Sequence, residues 1–430
     1  MKRYPTIAAA VAAGLTLGLT ACSTSSPAPS DGATSTADGT AAPVELTFWH
    51  GYTEADGDVL EGIVKDFNGS HPGITISTEV NTWAVIDDTL LPALSAGNGP
   101  DIVAMPAERL PVYAARGAFA SLDDFYANQA PTADLNPGAV DMITVEGTKY
   151  GVPTGFVPLA MFYNKTLFAK AGITEPPATW DEWVVDAEAL TVDENGDGTP
   201  EQYGVVLPDH ETVANGVWPS LLYGNGGGIV ADGKAVIDSP ENAETLAYWY
   251  DAIAGKKISP TGASGIDGDG LFSSGRVGMY LGGPWMASIA ADNNIDYGIA
   301  AVPAGPVTQA ASAIGVSMAL TAQADAAKEA AAKEFFAYFL DRDQALAWSL
   351  GSGWPPLRTD IAASEVADNP VVSALTEQAK YGVPLLPGVV NSTDVLKAVD
   401  VLTQRAMAGE PIETLLAQAQ TSIQDALDAQ

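Results

Sequence analysis

Residues 44–49, Val-Glu-Leu-Thr-Phe-Trp, alternate between apolar and polar side chains, and this period of two predicts a β-strand that stops at His50-Gly51. The elements predicted after it are a helix over 58–68, a strand over 74–80, a helix over 85–94 and a strand over 101–105. This order predicts right-handed crossovers and a mostly parallel sheet flanked by helices, which is an α/β fold. Ligands of such sheets bind at the carboxyl ends of the strands.

Helical periodicity continues in later segments. Residues 179–182, Thr-Trp-Asp-Glu, form a capping box that predicts a helix beginning after Thr179. One long helix is predicted over 326–350 and an amphipathic helix over 412–427. The sequence shows no internal repeat of the length that builds solenoids or propellers.

The N-terminus has the layout of a secretory signal over residues 1–21. Lys2 and Arg3 precede an apolar run that is too short to span a membrane, and small residues stand directly before Cys22. Residues 19–22, Leu-Thr-Ala-Cys, resemble a bacterial lipobox, which implies that Cys22 is acylated. An ordinary signal peptide with a stray cysteine is the alternative. Residues 22–43 are predicted to be this cysteine and a flexible tether, because 23–43 contain no aromatic or branched aliphatic side chain.

Composition narrows the class of ligand. The formal charge of the chain is −34 and becomes −36 once Lys2 and Arg3 leave with the signal, which argues against nucleic acid and direct membrane-surface binding. Arginine is scarce after the signal, which disfavours a multiply phosphorylated ligand. A single cysteine permits no internal disulfide. The mature chain of about 400 residues exceeds what one core normally holds, so two lobes are predicted.

The nine tryptophans fall into two groups. Four lie within helical patterns and are interpreted as core residues: Trp180, Trp183, Trp249 and Trp348. Five stand at strand ends or beside Gly and Pro, where an α/β sheet presents ligand: Trp49, Trp83, Trp218, Trp285 and Trp354. A large aromatic side chain at a turn is costly to expose unless something covers it. The five are therefore candidate ligand-binding residues, with packing inside their own lobe as the alternative.

Polar candidates stand near the same turns. Glu108 and Arg109 are predicted to begin the helix after the third strand, on the ligand side of the sheet. Glycines beside Asn225 and Trp285 would let backbone approach a ligand closely. The full polar set is His50, Glu108, Arg109, Asn225, Gly283 and Arg358. Tight turns, solvated charges and structural ion pairs are the alternatives for these residues.

Residues 193–201 resemble the first part of an EF-hand calcium loop. The oxygen-bearing positions are Asp193, Asn195, Asp197, Thr199 and Glu201, with Gly198 at the sixth position. The bidentate glutamate expected at the twelfth position is missing, since Gly204 stands there. A surface turn rich in Asx motifs is the favoured interpretation. Calcium is a possible ligand of this loop, and no other cofactor or metal is expected.

Signatures of enzymes are missing from the sequence. The three histidines, at 50, 71 and 210, have no metal-binding spacing. No Gly-x-Ser-x-Gly elbow, phosphate-binding loop or dinucleotide fingerprint occurs. No catalytic residues are therefore assigned. A pair of carboxylates for glycoside hydrolysis stays open, because acidic residues are abundant.

Several segments together resemble the extracellular sugar-binding proteins of ABC transporters, the maltose-binding-protein-like family. They are 95–103 (SAGNGPDIV), 150–153 (YGVP), 162–168 (FYNKTLF), 171–173 with 177–180 (AGI, PATW), 272–279 (FSSGRVGM) and 282–285 (GGPW). The resemblance implies a two-lobed periplasmic-binding-protein-like fold of type II, with ligand in the cleft between the lobes. It implies a first lobe of 44–153 plus about 302–352, and a second of 154–301 plus about 353–430.

The same resemblance implies a function. The protein would capture a mono- or oligosaccharide between its lobes and deliver it to the transmembrane permease of an ABC importer, as a monomer anchored through Cys22 at the extracellular face of the membrane. No chemistry is implied. The alternatives are a secreted carbohydrate-active enzyme that uses an Asp/Glu pair, and a binding protein for a polyol or a peptide. The residues do not identify the sugar or its number of rings.

Overall fold

The computed structural model describes residues 42–53, 55–209 and 216–429. The predicted signal, Cys22, residues 23–41 of the tether and His210 lie outside these ranges. Strands of the first sheet are β1 (Val44–His50), β2 (Ile74–Val80), β3 (Ile102–Pro106), β6 (Val152–Pro158), β13 (Ala311–Leu320) and β14 (Gly382–Pro384). Those of the second are β7 (Ala160–Asn164), β8 (Tyr203–Val206), β11 (Val277–Gly282) and β12 (Tyr297–Ala300). Two small hairpins add β4 (Thr144–Val145) with β5 (Thr148–Lys149), and β9 (Val230–Ala231) with β10 (Lys234–Ala235).

Helices connect and cover the two sheets. In the first half of the chain they are α1 (Ala55–Ser70), α2 (Trp83–Ser95), α3 (Leu110–Ala115), α4 (Asp123–Asn128), α5 (Pro137–Met142), α6 (Lys165–Ala171), α7 (Trp180–Leu190) and α8 (Val217–Gly224). In the second half they are α9 (Pro240–Lys256), α10 (Gly265–Ser273), α11 (Trp285–Asp292), α12 (Ala326–Leu340), α13 (Arg342–Ser352), α14 (Pro370–Gln378), α15 (Ser392–Met407) and α16 (Ile412–Asp428). Within the described ranges, none has the length and apolarity that crossing a membrane requires.

The first sheet is built around β13. Its order is β2-β1-β3-β13, and β13 also pairs with β14 and β6. β1 runs parallel to both β2 and β3, whereas β13 runs antiparallel to β3 and β6. Every one of the ten residues of β13 is buried, as is every residue of β3. Helices on both faces therefore leave these central strands no contact with water.

The second sheet is more mixed than the sequence predicts. Its order is β12-β7-β11-β8, and only the β11–β8 pair is parallel among its three pairings. The reason is one reversed strand. β11 and β12 are joined through α11, as in a parallel crossover unit, but β7 lies between them and runs in the opposite direction.

Most predicted elements are confirmed within a few residues. The strand over 74–80 has the predicted bounds, and the predicted core tryptophans Trp180, Trp183, Trp249 and Trp348 are at most 4% exposed. The single helix predicted over 326–350 is wrong. It is broken at Asp341, whose extended backbone ends α12 and whose carboxylate accepts the N–H of Asp343 to cap α13.

Strand pairing shows to which sheet the segments near the predicted lobe boundaries belong. Residues 152–158 pair with β13 in the first sheet and β7 belongs to the second, so the chain passes from one sheet to the other at Leu159. Pro153 lies inside β6 at a β-bulge, where a missing N–H is tolerated. β14 pairs with β13 in the first sheet. The lobe boundaries themselves stay a prediction.

Replacing Thr179 with alanine should destabilise the protein by about 1 kcal/mol. The Thr179 hydroxyl oxygen accepts the N–H of Glu182 at the start of α7, and the Glu182 carboxylate accepts the N–H of Ala178. The midpoint of urea unfolding measures the loss. Thr174→Ala, at an exposed position before α7, is the control and should leave the midpoint in place. Equal losses in the two variants would contradict the role of the cap.

Candidate ligand-binding site

Both sheets present the carboxyl ends of parallel strands. In the first sheet, β1, β2 and β3 end at His50, Val80 and Pro106, which pairing places at one edge. In the second, β8 and β11 end at Val206 and Gly282. The edge formed by the carboxyl ends of the strands is where α/β sheets bind ligands, because connecting loops diverge there and leave a crevice.

Trp83 lies at the edge of the first sheet, where it begins α2. Its ring rests on Gly51, since a β-carbon built on that glycine would fall 2.5 Å from Cε3 of the indole. Tyr52 meets the same ring edge to face, with centroids 5.3 Å apart. Trp83 is partly exposed and Tyr52 is buried. The indole is therefore held from two sides and keeps part of its surface accessible.

Thr154 ties Tyr52 to the rest of the first sheet. In the β6–β13 ladder Pro153 pairs with Ser317 and Gly155 with Val316, so Thr154 is the bulged residue. Its hydroxyl hydrogen-bonds the Tyr52 hydroxyl at 2.5 Å, and its carbonyl accepts the indole N–H of Trp348 at 2.7 Å. Burial raises the pKa of Tyr52, which keeps its hydroxyl protonated.

Trp354 and Trp285 continue this arrangement towards the second sheet. The Trp354 ring packs on Gly155 and is buried, and the Trp354 carbonyl accepts the Ser349 hydroxyl at 2.5 Å. A β-carbon on the neighbouring Gly353 would lie 3.6 Å from Pro284, the residue that precedes Trp285. Trp285 begins α11 at the edge of the second sheet and is partly exposed.

These contacts define an aromatic row along the two edges. We use this name for the rings of Trp83, Tyr52, Trp354 and Trp285, which are linked through Thr154, Trp348 and Gly353. The structure thus connects three of the five candidate tryptophans. Tyr52 and Thr154 were missed in the sequence. The position of Tyr52 two residues beyond the first strand is a usable signal, whereas the bulge at Thr154 depends on pairing with a strand about 160 residues away.

The other candidates at the first strand have structural partners. Trp49 points to the opposite face from His50 because strand side chains alternate, and it packs against the cluster that contains Ile86 and Met105. His50 is fully buried. Its Nε2 lies 3.1 Å from the Glu61 carboxylate, and its Nδ1 has no hydrogen-bond partner among the described residues.

Glu108 and Arg109 lie in the turn between β3 and α3, at the predicted edge but before the helix rather than in it. Glu108 is 3% exposed, and its Oε2 has no hydrogen-bond partner in the described chain. Burial raises the pKa of this carboxyl to about 8. Arg109 is turned towards the Asp87 carboxylate, with which it forms an ion pair, and its Nε lies 3.9 Å from Glu108. Glu108 is therefore a neutral acid at pH 7 with an unused oxygen.

Three further candidates are committed to internal contacts. Trp218 is fully buried in α8 and donates its indole N–H to the Pro208 carbonyl at 2.7 Å. Asn225 ends the same helix and donates to the Glu241 carbonyl at 2.9 Å. Arg358 is 7% exposed and pairs with Asp360 at 2.7 Å and Asp134 at 3.1 Å. These contacts fit the structural alternatives for the three residues, because a side chain bonded in this way has little left to offer a ligand.

The second sheet contributes an acidic residue that the sequence analysis overlooked. Asp209 follows β8 at its carboxyl end and is 2% exposed. Its two carboxylate oxygens accept the N–H of Gly262 at 2.7 and 3.0 Å. The residue stands directly before residues 210–215, which lie outside the described ranges. Its signal in the sequence is a carboxylate just after a predominantly apolar strand.

The loop over 193–201 is closed by its own hydrogen bonds. Asp193 accepts the N–H groups of Gly196 and Gly198, and the Glu201 carboxylate accepts the N–H of Glu194 and the amide of Asn195. Across residues 42–53, 55–209 and 216–429, no group of three or more His, Cys, Asp or Glu side chains is placed to hold a metal ion. The contacts are those of Asx turns. Calcium binding here stays a prediction.

The sequence of this chain is similar to the sequences of known binding proteins. Residues 51–346 match the model of the bacterial extracellular solute-binding protein family. The diacetylchitobiose binding protein DasA of Streptomyces coelicolor is 29% identical over 348 residues, which are 78% of this chain and 77% of that protein.

Solved structures resemble the fold closely. A crystal structure of the cyclic alpha-maltosyl-1,6-maltose binding protein from Arthrobacter globiformis is 26% identical, has a TM-score of 0.78, and covers 90% of this chain and 100% of its own. An ABC transporter solute binding protein from Thermotoga lettingae, bound with alpha-D-tagatose, is 25% identical with a TM-score of 0.78, over 89% and 99% of the two chains. The likeness confirms the predicted fold class, a two-lobed α/β fold of the periplasmic-binding-protein type II. Because the family model also matches well over half of the residues, this chain belongs to the bacterial extracellular solute-binding protein family.

Proposed function

We propose that this protein captures a carbohydrate at the aromatic row and presents it to the permease of an ABC importer. The observation that carries the proposal is the row itself, in which Trp83 and Trp285 are partly exposed at the edges of two different sheets. Sugars offer weakly apolar C–H faces that stack on such rings. The support from relatives is that proteins of similar sequence or structure bind diacetylchitobiose, tagatose and a cyclic maltosyl-maltose.

Polar groups in the turn after β3, at the edge of the first sheet, would supply direction. Sugar hydroxyls need donors and acceptors in fixed positions, and a few such groups in a largely apolar site fix the orientation of a ligand. Glu108 is protonated at pH 7 because its pKa is about 8, so its carboxyl can donate one hydrogen bond and accept another. The Arg109 guanidinium pairs with Asp87 through Nη1, and its Nε–H, which has no hydrogen-bond partner among the described residues, is a donor that a carbohydrate oxygen can accept. A neutral acid also avoids the cost of burying a charge against an uncharged ligand.

Delivery depends on closure and not on chemistry. A ligand that contacts both sheet edges binds the closed arrangement better than the open one, and this difference in affinity shifts the population towards the closed form. The permease then recognises that form. The chain acts as a monomer in this scheme, and it performs no reaction on the sugar.

We further propose that the protein is held at the outer face of the membrane through Cys22. The support is the sequence Leu-Thr-Ala-Cys over residues 19–22 and the polar tether over 23–43. A lipid on the N-terminal cysteine would keep the binding protein close to its permease, which raises its effective concentration there.

Trp285→Ala should weaken binding by about 30-fold or more, since a stacked aromatic anchor in such a site contributes roughly 2 kcal/mol. Intrinsic fluorescence and isothermal calorimetry, with a panel of mono- and oligosaccharides and polyols, measure the affinity. The sugar should be recovered intact. Product in the same tubes would support the enzyme alternative, and a response to peptides alone would overturn the carbohydrate assignment.

The matched control for this variant is Tyr250→Ala, which removes a partly exposed aromatic ring from α9, a helix that packs against α8, α15 and α16. It should leave the affinity unchanged. Both variants should retain the circular dichroism spectrum of the wild type. Equal affinity of Trp285→Ala and the wild type would remove Trp285 from the site.

Glu108→Gln should change how stability depends on pH. The pKa of Glu108 in the folded chain, about 8, lies above the ordinary 4.5, so the folded state holds an extra proton between these values. Stability from this group therefore falls as pH rises from about 4.5 to 8 and is level above that range. Glutamine cannot titrate, so the variant should gain in Tm relative to the wild type as pH rises. Glu45→Gln, exposed on β1, should run parallel to the wild type; a parallel Glu108→Gln profile would refute an elevated pKa.

Cys22→Ser should abolish acylation. Cells fed an alkyne-labelled palmitate should transfer label to the wild type and none to the variant, and the variant should no longer fractionate with membranes. Retention of label by Cys22→Ser, detected after electrophoresis, would contradict the proposed anchor.

A further inference from the structure

Three tryptophans of the aromatic row each rest on a glycine. A β-carbon built on Gly51 would fall 2.5 Å from Cε3 of Trp83, one on Gly155 would fall 2.6 Å from Cζ3 of Trp354, and one on Gly283 would fall 2.7 Å from Cη2 of Trp285. These distances are well inside van der Waals contact. The glycines come from the end of β1, from β6 and from the end of β11, so one local motif does not explain all three.

Backbone conformation does not explain why these positions are glycine. Glycines whose φ is positive need their freedom, but Gly51, Gly155 and Gly283 are not among them. Their φ angles are ones that any residue adopts. The missing side chain is thus what matters at these positions, because the indole ring occupies the space where a β-carbon would stand.

We propose that Gly51, Gly155 and Gly283 are specificity-determining residues of the sugar site, because they set how deep each ring sits. The proposal rests on the carbohydrate function proposed above. The glycines do not touch the ligand; Gly51 and Gly283 position the partly exposed tryptophans that would, and Gly155 positions the buried ring of Trp354. Seating each ring directly on backbone leaves the crevice as wide as the fold allows.

A methyl group at Gly51 would displace the Trp83 ring, and only one direction of movement is open to that ring. Restoring ordinary contact requires the ring to shift by about 1 Å, and a gap of that size at a contact on its other side removes a quarter to a half of the dispersion energy of that contact. Tyr52 blocks movement on one side, because it meets the ring at 5.3 Å and is itself held by Thr154. The ring therefore moves outwards, into the crevice.

The displaced ring should discriminate against large sugars. A ligand with several rings would contact both partly exposed tryptophans, Trp83 and Trp285, so displacement of one of them costs the ligand contacts at that ring and at the other. A single ring has room to shift in the crevice. Trp83 and Trp285 are partly exposed and can yield to an added methyl group. Trp354 is buried, so Gly155→Ala should lower stability as well as affinity.

The test uses the full chain and compares Gly51→Ala with Gly62→Ala. Gly62 lies in α1 on the exposed side, and a β-carbon there meets nothing within 4 Å in the described chain. Affinities are measured by calorimetry for tagatose, diacetylchitobiose and linear maltooligosaccharides. Gly51→Ala should weaken the tightest oligosaccharide by tenfold or more, weaken a monosaccharide by less, and change the fluorescence response to sugar. Gly62→Ala should match the wild type in all of these measurements.

Gly283→Ala is the second variant, in case Gly51→Ala fails to fold, and should show the same preference for smaller sugars. Affinities and fluorescence equal to the wild type in a folded Gly51→Ala or Gly283→Ala protein would overturn the proposal and leave the carbohydrate function in place. A uniform loss for all sugars, in proportion to a fall in Tm, would also overturn it, since a general loss of stability explains that result. A wild type that binds none of the sugars would overturn the proposed function and this proposal together.

Discussion

The hydrogen bonds of Thr154 hold the first sheet, the candidate site and α13 in one arrangement. Its hydroxyl bonds Tyr52 at the end of β1, and its carbonyl accepts Trp348 from α13. Thr154 stands at the bulge, where the regular β6–β13 ladder is interrupted. It is buried, which makes the loss of either bond expensive. Thr154 therefore links Tyr52, on the first-sheet side of the aromatic row, to Trp348 of α13.

The sequence predicts the architecture well where patterning is local. β1, β2 and the capped helix α7 follow from alternation, helical spacing and Thr179, and each appears within a few residues of its predicted bounds. Long-range pairing sets the features that were missed. The reversed β7 inside the second sheet and the position of Pro153 within a strand depend on partners more than 100 residues away. The break at Asp341 was local, but a continuous apolar pattern on both sides concealed it.

At the site, the sequence pointed to the carboxyl ends of the strands and ranked side chains by type. A position after a strand was the signal for Trp83, and neighbouring Gly and Pro were the signal for Trp285 and Trp354; their contact with ligand stays a prediction. A charged side chain was a weaker signal of a site residue than an aromatic one. Arg358 was one of the polar candidates and is enclosed by two carboxylates and two backbone carbonyls. Asp360 is a local partner, but residues 131, 134 and 340 are 18 or more positions away in the chain, so the local sequence does not reveal this enclosure.

The position of β13 in the chain has a consequence for biogenesis. β1, β2 and β3 are complete once residue 106 has been synthesised, but the strand that joins them to β6 and β14 begins only at Ala311. Until then, the first sheet has an open edge at β3 and cannot bury its centre. The second sheet interrupts the first in sequence and has all its strands by residue 300. The N-terminal strands must wait for a partner that is synthesised late, and this slows formation of the native state. A chain that stays unfolded for longer remains able to pass through a narrow export channel.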